Sequence, residues 1–469
     1  MFIGRKKELR LLNEHYNSQK SELVVLYGRR RIGKSSLVKE FAQDKHYFFS
    51  FEGIEGLGQK EAIIHFSQEL YKQTDDPILQ DLTFKSWEQC FTYVTDRIVN
   101  RQGRRKKAII FFDELSWMAT GRSALISLIK YYWDNLWKSK NIMLILCGSI
   151  ASFMIKKVIN SQALYGRTTL EIFLKGLSPD EAKNFFSRKK SKEEILKTLL
   201  VFGGVPKYLE LINQNQSFIY NVNRLCFSAN SVMIKEIDKI FYSQFREGKT
   251  YQAIIELVKE RLISLQDIAH KLHMSSGGGL KQYLANLEQA EFIRSYVPFN
   301  KKENSKLKKY FLSDEYIQFY FKYIEPHKKL INEGNSEALF ERLTDDSITT
   351  WFGFAFEKFC IKHAMYLAKK MGFNDQVMNY GPYFEREDTA FQIDLLYKRK
   401  DKVITICEMK YYTKPITTGV IPEVERKIKL LKIPRGYSVE TALISLYGPD
   451  KALRDTHYFN YTPTLEDFL

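Results

Sequence analysis

Nine consecutive residues hold the clearest chemistry in this sequence: Gly28, Arg29, Arg30, Arg31, Ile32, Gly33, Lys34, Ser35 and Ser36. The first eight read G-x-x-x-x-G-K-S without a mismatch. They lie between an apolar run, Leu23–Gly28, and an amphipathic one, Ser35–Ala42, which is the strand-to-helix setting such a motif requires. Glycines let the backbone curl with its N–H groups inward, and the start of the following helix adds a favourable dipole. The loop is thus expected to hold the phosphates of ATP, with Lys34 reaching the β and γ phosphates and the Ser35 hydroxyl on Mg²⁺. About 80 residues on, the run Ala108–Phe112 ends in Asp113-Glu114. An Asp there can hold Mg²⁺ through water, and the adjacent Glu can orient the attacking water. A third run, Ile142–Ser149, ends in Ser149, either a contact for the γ-phosphate or a small residue closing a strand. Arg167, just before another short apolar stretch, is either a finger acting on a neighbour's nucleotide or a surface arginine.

A second constellation lies near the other end. Glu357 sits in a helical segment, Asp394 in the run FQIDLLY, and Glu408 and Lys410 in VITICEMKYY. Residues two apart on a strand face the same side, so Glu408 and Lys410 project together, and a hairpin can bring Asp394 beside them. Two carboxylates on one face can bind Mg²⁺, here Asp394 and Glu408, while a nearby lysine orients or helps deprotonate water. That set suits phosphodiester hydrolysis. The blander reading is a surface Glu–Lys pair, or a silent fold of the same kind.

These residues need elements to position them. The runs Leu23–Gly28, Ala108–Glu114 and Ile142–Ser149 read as buried parallel strands alternating with helices, hence an α/β core. Residues 173–245 read as helical, with a start signal at Ser178. Between 246 and 325 three helices precede two strands, Phe292–Phe299 and Lys308–Leu312, in the order of a winged helix. Its third helix would offer Lys281, Gln282 and Asn286 to DNA, and its wing Lys301, Lys302, Lys306, Lys308 and Lys309, although such modules also bind protein. Residues 345–469 return to α/β, with a helix around Phe354–Lys369 and strands at Phe391–Tyr397, Val403–Met409 and Thr441–Leu446. The aromatic stretch Phe311–Tyr323 reads as core packing.

The bulk composition agrees with several packed modules. A chain of 469 residues exceeds the ~100–200 of one domain, and 44% hydrophobic residues exclude disorder. A net charge of +17 favours a polyanionic partner, since phosphates release counterions to lysine and arginine. The five scattered cysteines form no CxxC, which argues against a disulfide framework or a zinc site and for a reducing compartment. With no apolar leader and no long apolar run, a cytoplasmic location without membrane contact is expected.

The segments FIGRKKELRLL, GRRRIGKSSL, FFDEL, LCGS, GRTT and GGVPKYL resemble the archaeal-type ATPases of the AAA+/STAND grouping over about the first 245 residues. The resemblance implies that residues 1–172 form a P-loop AAA+ parallel sheet and that 173–245 form a helical lid carrying Gly203-Gly204-Val205-Pro206. It also implies that Phe2–Arg5 lies near the adenine, that Ser149 is the sensor and that Arg167 is the finger, with homo-oligomerisation through it. A second sensor arginine is not evident; Lys207 is the nearest cation. The D-x13-E-x-K spacing of Asp394, Glu408 and Lys410 resembles the PD-(D/E)xK nuclease superfamily, with Glu357 as the acidic residue of its first helix and Ile393-Asp394 in place of Pro-Asp. It implies a restriction-endonuclease-like domain at 345–469. The expectation is therefore an ATP-hydrolysing protein acting on DNA with a C-terminal nuclease, set against a nucleotide-controlled switch or scaffold that does not cut.

Overall fold

The structure is a computed structural model and describes residues 2–81, 83–100, 106–119, 124–162, 164–244, 248–259, 262–297, 308–334, 338–344, 347–385 and 391–469. Lys301, Lys302 and Lys306 lie outside the described residues. The chain divides into two compact units, Met1–Gly176 and Leu177–Leu469.

The first unit is organised by five parallel strands: β1 (Glu22–Tyr27), β2 (Phe48–Glu52), β3 (Ala108–Asp113), β4 (Ile142–Gly148) and β5 (Leu170–Phe173), in the order β2-β3-β4-β1-β5. The three continuous apolar runs supply its three central strands, as expected where both faces of a sheet are covered. Alternation then sorts their side chains. Leu23, Val25, Ile110, Phe112, Leu144 and Leu146 enter the core of one face. Val24, Leu26, Ile109, Phe111, Met143 and Ile145 enter the other. A one-residue slip would exchange the two sets, so register is tightly specified.

The second unit starts with short helices. The helix-start signal at Ser178 is realised as a capping box with Glu181, but the helix it opens, Pro179–Ala182, runs for only one turn. Longer helices follow at Lys192–Phe202, Phe218–Cys226 and Glu236–Gln244. Helices Gly248–Val258, Leu265–Lys271 and Gly278–Gln289 then accompany β6 (Ile263–Ser264), β7 (Ile293–Tyr296) and β8 (Lys309–Leu312), an antiparallel sheet ordered β6-β8-β7. Ser264 and Asp267 form the capping box of the second of these helices. The aromatic stretch is core: Tyr316, Phe319, Tyr320 and Tyr323 are all buried.

The C-terminal part places the helix Ile348–Lys362 ahead of β9 (Val377–Glu385), β10 (Phe391–Arg399), β11 (Val403–Lys410) and β12 (Ser438–Ser445). The sheet order is β12-β11-β10-β9. Strands β9, β10 and β11 pair antiparallel; β11 and β12 pair parallel, joined through the helix Ile421–Leu430. The segment expected as one helix over Phe354–Lys369 is two helices meeting at His363.

Candidate functional sites

In the first unit the loop Gly28–Gly33 leads from β1 into the helix Lys34–Ala42. Gly28 has φ 153° and Gly33 φ 86°, and a Cβ on Gly28 would lie 2.3 Å from the Leu174 carbonyl oxygen. The loop needs glycine there for backbone conformation and for close packing alike. Ile32 is fully buried and plugs the loop into the core beside Val24, Leu26 and Leu37. Lys34 is buried, and its Nζ donates to the Gly28 and Arg29 carbonyls at 3.1 and 3.0 Å, spanning the loop from inside. Arg29 is buried, whereas Arg30 faces out and lies 3.7 Å from Glu55. Arg31 takes φ 73°, Ser35 is half-buried and Ser36 exposed.

Arg5 has a role that its sequence context did not reveal. It is buried, and its guanidinium donates to the carbonyls of Ile32 and Lys175 at 3.1 and 2.6 Å. It therefore ties the chain's N-terminal segment to the backbone of the phosphate loop.

Asp113 closes β3, buried, with its Oδ1 accepting the Glu114 N–H at 3.0 Å. Glu114 turns the chain with φ 48°, a left-handed conformation that a non-glycine residue adopts at a cost. Its Oε2 accepts both from Ser149 Oγ, at 2.7 Å, and from the Ser149 N–H, at 3.1 Å. Ser149, expected to touch phosphate or water, thus grips the Glu114 carboxylate. The thiol of Cys147 is pushed well up, by burial first and then by Asp113. Arg167 forms a two-pronged pair with Asp134, Nε to Oδ1 at 2.6 Å and Nη2 to Oδ2 at 2.9 Å. The hydrogen bond from Arg167 holds the Asp134 carboxyl below its usual range.

In the second unit Gly203 takes φ 63°, and Gly204 lies against Leu177, whose N–H donates to its carbonyl at 2.7 Å. Lys207 pairs with Glu210 at 3.0 Å. In the third of the three helices flanking the small sheet, Lys281 is exposed, and Gln282 donates to Asn286 at 2.8 Å. Asn286 in turn donates to the Tyr251 hydroxyl at 2.5 Å.

The C-terminal constellation converges. Glu357, Asp394, Glu408 and Lys410 all line one cleft of about 530 Å³. The antiparallel pairing of Leu395 with Cys407 sets Asp394 next to Glu408, and Asp394 Oδ2 accepts the Met409 N–H at 3.0 Å. Glu408 is buried between two cations, Lys410 at 2.7 Å and Lys427 at 2.6 Å. Lys427, from the helix Ile421–Leu430, was not foreseen. A lysine four residues after Glu423 reads as an exposed helical pair, yet it is buried. Burial, then Glu408, pushes Asp394 up to about 6; burial, then Asp394, pushes Glu357 up to about 7. Burial works against the charge of Lys410 and Lys427, and their pairing with Glu408 overrides it, so both stay above the ordinary lysine range.

The oxygens of Ser35 and Asp113, and those of Asp394 and Glu408, are hard donors of the kind Mg²⁺ takes. Among the described residues, however, no three His, Cys, Asp or Glu side chains converge to hold a metal between them. Nor is any described helix long and apolar enough to cross a membrane.

Comparison with known proteins gives the following. Residues 2–212 match the family described as an ATPase domain predominantly from Archaea. Residues 320–420 match one described as archaea bacterial proteins of unknown function. An uncharacterised protein of Methanocaldococcus jannaschii is 29% identical over 413 residues, 88% of each chain. An uncharacterised ATP-binding protein of Pyrococcus abyssi is 26% identical over 243 residues, 45% of this chain and 72% of its own. Among solved structures, a Walker-type ATPase of Pyrococcus abyssi is similar with a TM-score of 0.49 at 19% identity, covering 68% of this chain and 96% of that one. The family match over residues 2–212 supports an ATP-binding P-loop ATPase in the N-terminal part of the chain.

Proposed function

We propose that this chain hydrolyses ATP and acts on DNA, and that its C-terminal module cleaves phosphodiester bonds. The observation that carries the proposal is the gathering of Glu357, Asp394, Glu408 and Lys410 in one cleft, from a helix and two adjacent strands. The order helix, three antiparallel strands, helix, parallel strand supports a restriction-endonuclease-like fold. Three helices with the β6-β8-β7 sheet support a winged-helix module, and the charge of +17 supports a nucleic-acid partner.

In the phosphate loop, Lys34 and the inward N–H groups bind the phosphates, while Glu114, held by Ser149, orients the attacking water. Ser35 and Asp113 would hold Mg²⁺, which when bound neutralises charge on the phosphates. Arg167 reaches a neighbour's nucleotide once released from Asp134. A turnover rate per chain that does not change with protein concentration would remove that role.

In the C-terminal cleft, Asp394 and Glu408 would hold a divalent ion that supplies Lewis acidity at the scissile phosphate. Lys410 orients a water whose oxygen bonds to phosphorus as the P–O bond to the leaving oxygen breaks, and Glu357 is placed to take the water's proton.

The test is cleavage of linear, branched and single-stranded DNA with Mg²⁺ or Mn²⁺, with and without ATP, by the wild type, Asp394→Ala and Lys410→Ala. Cutting by the wild type that both variants lose is expected. Absence of cutting by every form, with DNA binding and ATP turnover intact, overturns the nuclease reading. One observation favours the second reading, a nucleotide-controlled switch or scaffold: both Glu408 oxygens are already engaged by lysines, as in a structural ion-pair network.

A further inference from the structure

The carboxylate cleft does not end at its acidic residues. Glu357, Phe384, Gln392 and Asp394 also line a second cavity, of about 260 Å³, so the two are continuous through these four side chains. The second cavity has a different character. Phe311 from β8, Phe384 from β9 and Phe354 from the helix Ile348–Lys362 give it aromatic walls, and Lys309 and Lys358 add positive charge. Phe354, Lys358 and Ile361 are spaced at four and three residues, so one face of the helix lines the cavity, with Glu357 at the border. Phe354 is 59% exposed, unusual for a phenylalanine on a helix whose other large apolar residues are mostly buried.

We infer that this aromatic cavity receives one unpaired nucleotide of a DNA strand, next to the phosphate that the carboxylate cleft addresses. The inference rests on the proposed action on DNA and names its substrate class: DNA with a single-stranded extension, flap or branch rather than uninterrupted duplex.

Three features select this occupant. The volume is below the ~300–1,000 Å³ that encloses drug-sized ligands and matches the scale of a base with its sugar. Aromatic faces stack on any base, and the lysines complement the phosphate that each nucleotide brings with it. The exposed amide of Gln392 both donates and accepts, as the edge of a base requires. A paired base cannot enter without leaving its stack, a cost that is least where it is already unpaired.

The experiment uses the full-length chain and a duplex carrying 2-aminopurine in a short single-stranded DNA extension. The same duplex made blunt, and a version with an RNA extension, serve as comparisons. Binding, 2-aminopurine fluorescence and cleavage are read for the wild type, Phe354→Ala, Phe354→Trp and Asp394→Ala. Expected are an altered fluorescence and tighter binding for the DNA extension. Phe354→Ala should weaken that binding by about tenfold or more, and Phe354→Trp should retain it. Because Phe354 is exposed, its replacement leaves the core intact. Equal binding of blunt and extended DNA, no effect of Phe354→Ala, or a preference for the RNA extension overturns the inference. Cleavage missing from every form while fluorescence and binding behave as expected sinks the nuclease reading alone and upholds the cavity's occupant.

Discussion

The phosphate loop of the first unit and the carboxylate cleft of the second are both lined with charge, but they are built from different material. The loop is a backbone device. Its shape comes from Gly28 and Gly33 at positive φ, the buried Ile32 and the Arg5 strut, and its lysine rests on main-chain carbonyls. The cleft is a side-chain device, in which two lysines and three carboxylates from two strands and two helices balance one another. A backbone site tolerates change in its exposed side chains and fails when its one essential cation is lost. A side-chain site spreads each loss over stability and chemistry together.

Predictions can break or sharpen that contrast, taken from the largest effect to the smallest. Lys34→Ala should lower ATP turnover on the order of a thousandfold with an unchanged unfolding midpoint, since removing one donor from a charge-stabilising site costs ~100–1,000-fold. Turnover that survives in purified variant protein would move the nucleotide site elsewhere. Lys427→Met should instead cost stability, about 3–5 kcal/mol by urea unfolding, because it breaks a buried pair and leaves Glu408 with one cation. A loss below about 1 kcal/mol would mean that Lys410 alone satisfies Glu408.

Ser149→Ala removes the hydroxyl bond to the carboxylate of the left-handed Glu114 and leaves only the backbone N–H, and ATP turnover should fall about tenfold with stability nearly unchanged. An unchanged rate would reduce Ser149 to a residue closing a strand. The smallest effect concerns Lys358, whose ammonium burial pushes down to about 8. Because the folded state binds its proton less tightly than the unfolded chain, this group adds stability as pH rises from about 8 towards 10.5, and the gain is lost as pH falls through 8. Lys358→Met should therefore stabilise the protein at pH 7 and flatten the rise above pH 8. A destabilised variant would show that the Lys358 contact with the Lys259 carbonyl, 3.4 Å away, outweighs the burial cost.

The same contrast decides what could be read from the sequence. The phosphate loop was legible because a backbone device leaves a fixed spacing of glycines, and the three central strands because burial on both faces leaves unbroken apolar runs. Asp394, Glu408 and Lys410 were legible as a pattern, since a strand's alternation converts spacing into a shared face. Lys427 was not, since it reads as an ordinary surface cation; for Arg5, which the resemblance placed near the adenine, only packing shows its burial against the Ile32 and Lys175 carbonyls. Strand β9 was not expected from the sequence; it carries Gly381-Pro382, two residues that weaken a strand signal. In the fold that glycine admits the Tyr296 ring, 2.3 Å from where a Cβ would stand. The break at His363 left no proline or glycine to announce it.

The order of strands in the first unit has a consequence for the protein's birth. β1 leaves the ribosome well before its sheet neighbours, β4 and β5, with Glu22 paired to Met143 and Val24 to Leu170. At ~5–20 residues per second, β1 waits on the order of 10 s for partners not yet synthesised. During that interval its fully apolar run, Leu23–Leu26, has neither neighbour. Translation speed across residues 28–142, and whatever shields a nascent apolar strand, should then govern the yield of folded protein as strongly as the final stability does.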